Sequence, residues 1–217
     1  MKKIQIITLF PEMFEGVLNG SMMWKAQQKK AVQFRIINLR DFGLGPRKRV
    51  DDTPFGGGDG MLLMPEPLFA AINEAKAYDA NAQVVLMTPK GERWRQSSAK
   101  SWANSNDDYI FVCGHYEGYD ERILTLVDTQ VSVGDYILTG GELPAMTIID
   151  SIVRLIPGVL GGEMSAEIES FNDGETLEFP QYTRPEVFNG LAVPKVLLSG
   201  NHAEIAKWRR ENSKKAK

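Results

Sequence analysis

Three stretches of this sequence combine glycine with side chains that can do chemistry. They are TPKGE over 88–92, CGHYEGYDER over 113–122 and VGDYILTGGELPA over 133–145. Glycine tolerates positive φ and lets main chain approach a ligand closely. One such loop alone reads as a tight turn. Three of them, each following an apolar run, point to a ligand gripped by main-chain groups. The third carries few charges and several apolar side chains. That suits an adenine and ribose held by backbone hydrogen bonds and apolar walls, and suits a triphosphate poorly.

Other chemistries are disfavoured. FGGGDGM (55–61) has Met61 where a dinucleotide fingerprint needs its last glycine, and it follows a loop rather than a strand. No phosphate-binding G-x-x-x-x-G-K-[ST] and no G-x-S-x-G nucleophile elbow occur. The single cysteine, Cys113, excludes an internal disulfide and a cysteine-rich zinc site; closing an apolar strand, it reads as core rather than nucleophile. Two histidines, His115 and His202, do not make a multi-histidine metal centre, and no metal site is expected.

The elements that must position these loops alternate along the chain. Apolar runs at 4–10, 34–39, 84–88 and 109–113 read as strands, with a short strand and turn within 130–138. Helices are expected over 12–29, from Pro65 or Pro67, around 92–104, from Pro144 to Ile156, and over Ala203–Ser213. The stretch 40–64 reads as loop. This alternation defines an α/β fold with a mainly parallel sheet flanked by helices. In such sheets ligands bind beyond the carboxyl ends of the strands, so the three loops are expected to converge on one edge.

The chain has 217 residues, 43% of them hydrophobic and 24% charged, an ordinary globular composition. No apolar run spans a bilayer and no signal-peptide core is present, so a cytoplasmic location is expected. The net charge of −3 hides an asymmetry. Residues 201–217 hold six Lys or Arg against two Glu, whereas 163–178 hold six acidic residues and no basic one. A basic tail can meet a phosphate backbone, but a solvated terminus is the plainer reading. We expect three parts: a cofactor-binding α/β domain over 1–160, a flexible acidic linker over 161–180, and a short helical C-terminal segment over 181–217.

Six long motifs, in order, carry a family resemblance. They are VDDTPFGGGDGM (50–61), CGHYEGYDER (113–122), SVGDYILTGGELPAMTIID (132–150), IPGVLG (156–161), YTRPEVF (182–188) and VPKVLLSGNHAEIAKWR (193–209). Together with LFPEMF (9–14) they make nearly the whole chain resemble the bacterial tRNA (guanine-N1)-methyltransferases, the TrmD family of SPOUT methyltransferases. The resemblance implies a homodimer, a deep trefoil knot, and knot loops that hold S-adenosylmethionine. The implied cofactor residues are Leu86, Met87, Thr88, Pro89, Gly114, Tyr116, Glu117, Gly118, Val133, Gly134, Asp135, Tyr136, Ile137, Leu138, Gly140, Gly141 and Pro144. The dimer would also cover apolar helix faces such as 144–156.

The implied reaction is methyl transfer to N1 of guanosine 37 of tRNA, with S-adenosylhomocysteine as the other product and better reading-frame maintenance as the consequence. A guanosine splayed from an RNA loop is reachable at low cost. Guanine N1 becomes a nucleophile once its proton leaves, so a carboxylate base is needed. Negative charge then builds on O6, where an arginine would stabilise it. The matching arginine is Arg154. The base position, usually aspartate before Ser-Phe, is Glu169 in SAEIESF (165–171), with Glu167 as the nearest substitute. Asp51, Asp52 and Gly60 fall in the family's guanosine-contacting loop; a charged capping turn is the plainer reading. Magnesium would sit with the tRNA or carboxylates rather than in a dedicated cage.

The sequence departs from the family in three further ways. The usual arginine before Tyr116 is His115, and the usual tyrosine before the glycine triplet is Phe55. Family members also continue beyond the W-R-x-x-x-S segment, matched here by Trp208–Ser213, so 181–217 is expected to be a truncated tRNA-binding segment. Two alternatives follow: a non-catalytic or weakly active RNA-binding relative that keeps the cofactor pocket, and a small-molecule methyltransferase on the same scaffold. The retained NHAEIAKWR segment argues against the second.

Overall fold

A computed structural model describes residues 1–160 and 169–215 of the chain. The chain divides into two compact units, Met1–Gly161 and Gly162–Lys217.

The first unit is built on β1 (Lys2–Thr8), β2 (Val32–Asn38), the short β3 (Asp51–Asp52) and β4 (Leu62–Leu63), β5 (Gln83–Arg93), β6 (Tyr109–Cys113) and β7 (Thr129–Ser132). Its helices are α1 (Glu12–Leu18), α2 (Ser21–Gln28), α3 (Pro65–Tyr78), α4 (Gln96–Asn104) and α5 (Glu142–Val153). Five strands form one sheet in the order β2-β1-β6-β5-β7, with every pair parallel. Successive strand residues face opposite sides. Ile4, Ile6, Val85, Met87 and Phe111 join a core with α1, α2 and α5. Ile7, Val84, Leu86, Ile110 and Val112 join a second core with Leu68, Ala71, Ile72 and Ala75 of α3. A sheet covered on both faces explains why its strands read as unbroken apolar runs.

Several boundaries differ from the sequence expectation. Residues 12–29 form two helices, because the chain turns at Asn19-Gly20 and Ser21 takes φ 46°. The third expected strand runs on to Arg93, which delays α4 to Gln96. The 39–64 stretch is a 3₁₀ turn over Leu39–Phe42 and the antiparallel β3–β4 ladder, not plain loop. Helix α5 begins at Glu142, two residues before Pro144; proline is tolerated there because the first four helical N–H groups lack intrahelical partners. Most of its apolar face is also covered within the protomer rather than left for a partner as expected, though Leu143 stays 51% exposed. Ala145, Ile148, Ile149, Ile152 and Val153 are buried within the protomer's own core.

In the second unit, β8 (Thr176–Leu177), the β9 (Val187–Phe188) and β10 (Leu191–Ala192) hairpin, α6 (Lys195–Leu198), α7 (His202–Asn212) and β11 (Lys214–Lys215) follow in order. Asn189-Gly190 closes the hairpin with φ 47° and 79°, the left-handed pair that a two-residue turn requires. The Asn201 side chain caps α7 by accepting from Ala203 N and Glu204 N. Strand β11 pairs with β8, and Lys215 meets Glu175 at 3.5 Å. Part of the acidic stretch therefore faces part of the basic tail. Residues 170–178, within the expected linker, are turned by Asp173. Its carboxylate accepts from Thr176 Oγ1 and from Glu175 N and Thr176 N, and these bonds hold its pKa down at about 2.

Candidate cofactor and substrate site

Because β6, β5 and β7 are neighbours in a parallel sheet, the loops after them emerge side by side. They enclose a cavity of about 630 Å³. Its walls are Met87, Thr88 and Pro89 after β5, then Gly114, Tyr116, Glu117 and Gly118 after β6. Val133, Gly134, Tyr136, Ile137, Leu138, Gly140, Gly141 and Pro144 complete it. The sequence pointed to all of these. Two expected contacts, Leu86 and Asp135, do not line it. Leu86 is fully buried in the sheet, and Asp135 turns outward to Arg93 at 3.4 Å. Leu62, Lys90, Thr139 and His115 line the cavity as well.

Backbone geometry fixes each loop. Val131 of β7 pairs with both Met87 and Glu92, so residues 88–91 are extruded toward the cavity between two paired segments. A side chain at Gly91 would place Cβ 2.3 Å from Val131 N, so this excursion needs glycine. The 140–141 turn locks onto the 114–115 turn: Gly141 N donates to Gly114 O at 2.8 Å, and His115 bridges Gly140. A Cβ on Gly141 would sit 2.8 Å from Cys113 Cα and from Gly114 N. Tyr136 and Ile137 stay 57% and 79% exposed, leaving an apolar wall open to a ligand.

Behind this wall lies a buried polar group that sequence reasoning missed. Glu142, the first residue of α5, is 2% exposed, and its carboxylate accepts from Thr8 Oγ1 at 2.8 Å. A carboxylate at a helix N-terminus is stabilised by the helix dipole, the signal that marked this position. Cys113 is buried beside it. Burial, with a smaller contribution from the Glu142 charge, pushes the thiol pKa well above its ordinary value. Cys113 is therefore a core thiol and not a nucleophile.

The 50–64 segment is fastened to the same cavity. Leu63 N donates to Gly118 O, Glu117 N to Met61 O, and Asp120 N to Leu63 O. Gly60, at φ 84°, lies against Glu117. Asp51 and Asp52 stand on β3 opposite Leu63 and Leu62. Asp52 accepts from Thr53 N and pairs with Arg49 at 3.0 Å, so the capping role exists alongside any contact with a substrate. Arg154 caps the C-terminus of α5 in the first unit. Glu169 is half-buried at the start of the described part of the second unit, where its carbonyl accepts from Asn172 N. Glu167 lies outside the described residues. No group of three or more His, Cys, Asp or Glu that could hold a metal occurs among the described residues, nor is any helix there long and apolar enough to cross a membrane.

A parallel α/β sheet with a glycine-walled, mostly apolar cavity beyond the carboxyl ends of three adjacent strands has the place where folds of this class bind small ligands. The family described as tRNA (Guanine-1)-methyltransferase TrmD matches residues 1–217. A Staphylococcus carnosus (strain TM300) protein named tRNA (guanine-N(1)-)-methyltransferase is 55% identical over 210 residues, covering 96% of this chain and 84% of that protein. Its namesake from Staphylococcus aureus (strain MRSA252) is 56% identical over the same coverage. The chain belongs to the tRNA (guanine-1)-methyltransferase family.

Proposed function

We propose that this protein methylates N1 of guanosine 37 in tRNA, with S-adenosylmethionine as methyl donor, and so supports reading-frame maintenance. The observation that carries the reading is the cavity built by the loops after β5, β6 and β7 in a chain of this family. Its volume lies within the range of small-molecule sites. Its mixture of glycine main chain and apolar side chains fits adenosine and fits a highly charged ligand badly. The residues that would hold the cofactor are those of the three loops, with the Leu86 and Asp135 main chain at their margins. When bound, the cofactor supplies an electrophilic methyl group on a sulfonium.

The chain's own residues do the rest. Tyr136, Ile137 and Leu138 exclude water from one side of the cavity. Glu169 accepts the proton of guanine N1, and Arg154 stabilises the charge that appears on O6. Asp51, Asp52 and Gly60 present the guanosine, since their segment is fastened to the 117–120 loop. Magnesium would accompany the tRNA phosphates. We place the protein in the cytoplasm as a homodimer with the family's knotted loop arrangement. Exposed Tyr136, Ile137 and Leu143 support a covered face in the assembly. The basic residues of 201–217 support contact with the tRNA backbone.

The test is to incubate the purified chain with labelled S-adenosylmethionine and two tRNA transcripts, one with guanosine and one with adenosine at position 37. Label on N1 of the first alone is expected. No label on either, with cofactor binding intact by calorimetry, would overturn the catalytic reading.

A further inference from the structure

One buried atom in this site lacks a partner. His115 Nδ1 is inaccessible to solvent and has no hydrogen bond among the described residues. The acceptor it faces is Glu142 Oε2, 4.0 Å away, beyond hydrogen-bond reach. The other Glu142 oxygen is taken by Thr8. A buried polar nitrogen left unpaired is unfavourable, so the arrangement needs a reason.

The surroundings leave the ring one direction in which to settle. Phe10 packs on it at 4.8 Å between centroids and Tyr116 meets it edge-on at 4.9 Å. The third neighbour is Gly140, where a Cβ would fall 2.7 Å from Nδ1 and 2.4 Å from Glu142 Oε2. Glycine therefore keeps the space between the two polar atoms clear. His115 also anchors the cavity wall, because its carbonyl accepts from Gly118 N and its main chain bridges Gly140.

We propose that His115 is a positioning residue: a proton on Nδ1, shared with Glu142, draws the 114–118 loop onto the N-terminus of α5 and sets the cofactor cavity in its tighter form. With the proton in place the gap closes into a charge-assisted hydrogen bond. Without it, in the neutral ring whose proton sits on Nε2, two lone-pair-bearing atoms face each other and stay apart. Among the described residues, the titratable groups shown against the ring are Glu142 from α5 and Tyr116 from its own loop; Phe10, beyond β1, packs on it and is apolar, and Thr8 of β1 reaches only the far oxygen of Glu142. Of these side-chain types, histidine is the one whose charge ordinarily changes between pH 5 and 8. A ligand that binds the tighter form better shifts the loop toward it, and the proton is linked to its affinity.

This rests on the reading that the cavity holds the cofactor. The experiment measures the dissociation constant of S-adenosylhomocysteine for the full chain by calorimetry between pH 6 and pH 8.5. The wild type is expected to bind on the order of tenfold more tightly at pH 6 than at pH 8.5. His115→Phe, which keeps the ring packing, and Glu142→Gln both flatten this slope. His115→Arg, a permanent cation, is flat at the tighter level, so a variant that fails to fold does not leave the question open. A slope unchanged in His115→Phe, or absent in the wild type, overturns the proposal. No binding by any variant at any pH overturns the cofactor reading, and the proposal with it.

Discussion

Gly60 and Glu117 lie so close that a Cβ on Gly60 would come within 2.4 Å of Glu117 Cγ. The pair joins the segment carrying Asp51 and Asp52 to the loop that walls the cofactor cavity. Gly60 also sits at φ 84°, where a side chain is strained. Gly60→Ala is therefore expected to cost on the order of 1 kcal/mol and to push Glu117 aside. Affinity for S-adenosylhomocysteine and for tRNA should both fall, each by roughly fivefold. Calorimetry and filter binding check this; loss of one affinity alone would separate the two loops.

Gly141 has less room to relax, because the two nearest atoms its Cβ would meet, Cys113 Cα and Gly114 N, belong to backbone. Gly141→Ala is expected to overpack the Cys113–Gly114 corner by about 1–3 kcal/mol. A thermal melt should drop by roughly 2–4 °C for each kcal/mol. At Gly134 the nearest atoms to such a Cβ all belong to the Tyr136 ring, a side chain that can swing away. Gly134→Ala should leave the melting temperature nearly unchanged while weakening S-adenosylhomocysteine binding.

The Cys113 thiol stays protonated in the fold, since burial raises its pKa well above the ordinary value. At pH 8 the native protein should resist iodoacetamide for hours and react fully in denaturant, as mass spectrometry would record. Cys113→Ala should leave methyl transfer measurable. Its abolition without loss of folding would reinstate a nucleophilic role.

Tyr109 stacks on Trp102 at 4.5 Å and shares a hydrogen bond with Ser105. Burial pushes its phenol pKa up to about 12. A raised folded-state pKa means the contribution is complete below pH 10 and is lost as the pH climbs toward 12. Stability to urea should fall through that window, and Tyr109→Phe should flatten the fall. Absorbance at 295 nm should show one tyrosine titrating late.

If Arg154 acts on O6 as proposed, Arg154→Ala is expected to lower kcat by roughly a hundredfold or more while leaving cofactor affinity within about twofold. Glu169→Gln should do the same. Glu169→Asp, which shortens the reach by one methylene, tests whether the glutamate is adapted here: a fall in turnover would show that it is.

Much of this was readable from the residues. Tyr109–Cys113 was bounded by charge on one side and Gly114 on the other, and the strand formed there. The proline before Leu68, Ala71, Ile72 and Ala75 opened α3 where helical spacing began. The three glycine loops met because the strands before them are parallel neighbours. What was not readable depends on partners distant in sequence. The continuation of β5 past Thr88 is dictated by pairing with β7. The burial of α5 depends on α1 and α2 packing over it. Glu142 stood two residues before the expected helix start, and only the approach of Thr8 and His115 reveals a buried site.

The extrusion of residues 88–91 has a consequence for how this protein can vary. The loop is clamped at both ends by one partner strand, with Val131 paired on either side. Because pairing resumes at Glu92, an extra residue in 88–91 would be taken up by the loop, whereas one added after Glu92 would reverse the face that Arg93 presents. It would also drag Trp94, whose indole donates to Ser151 on α5 at 2.9 Å. Pro89 and Lys90 are exposed and line the cavity, so substitutions there change the ligand surface without touching the ladder. Variation of this part of the cavity is therefore expected in the loop itself, while the paired segments on either side hold their register.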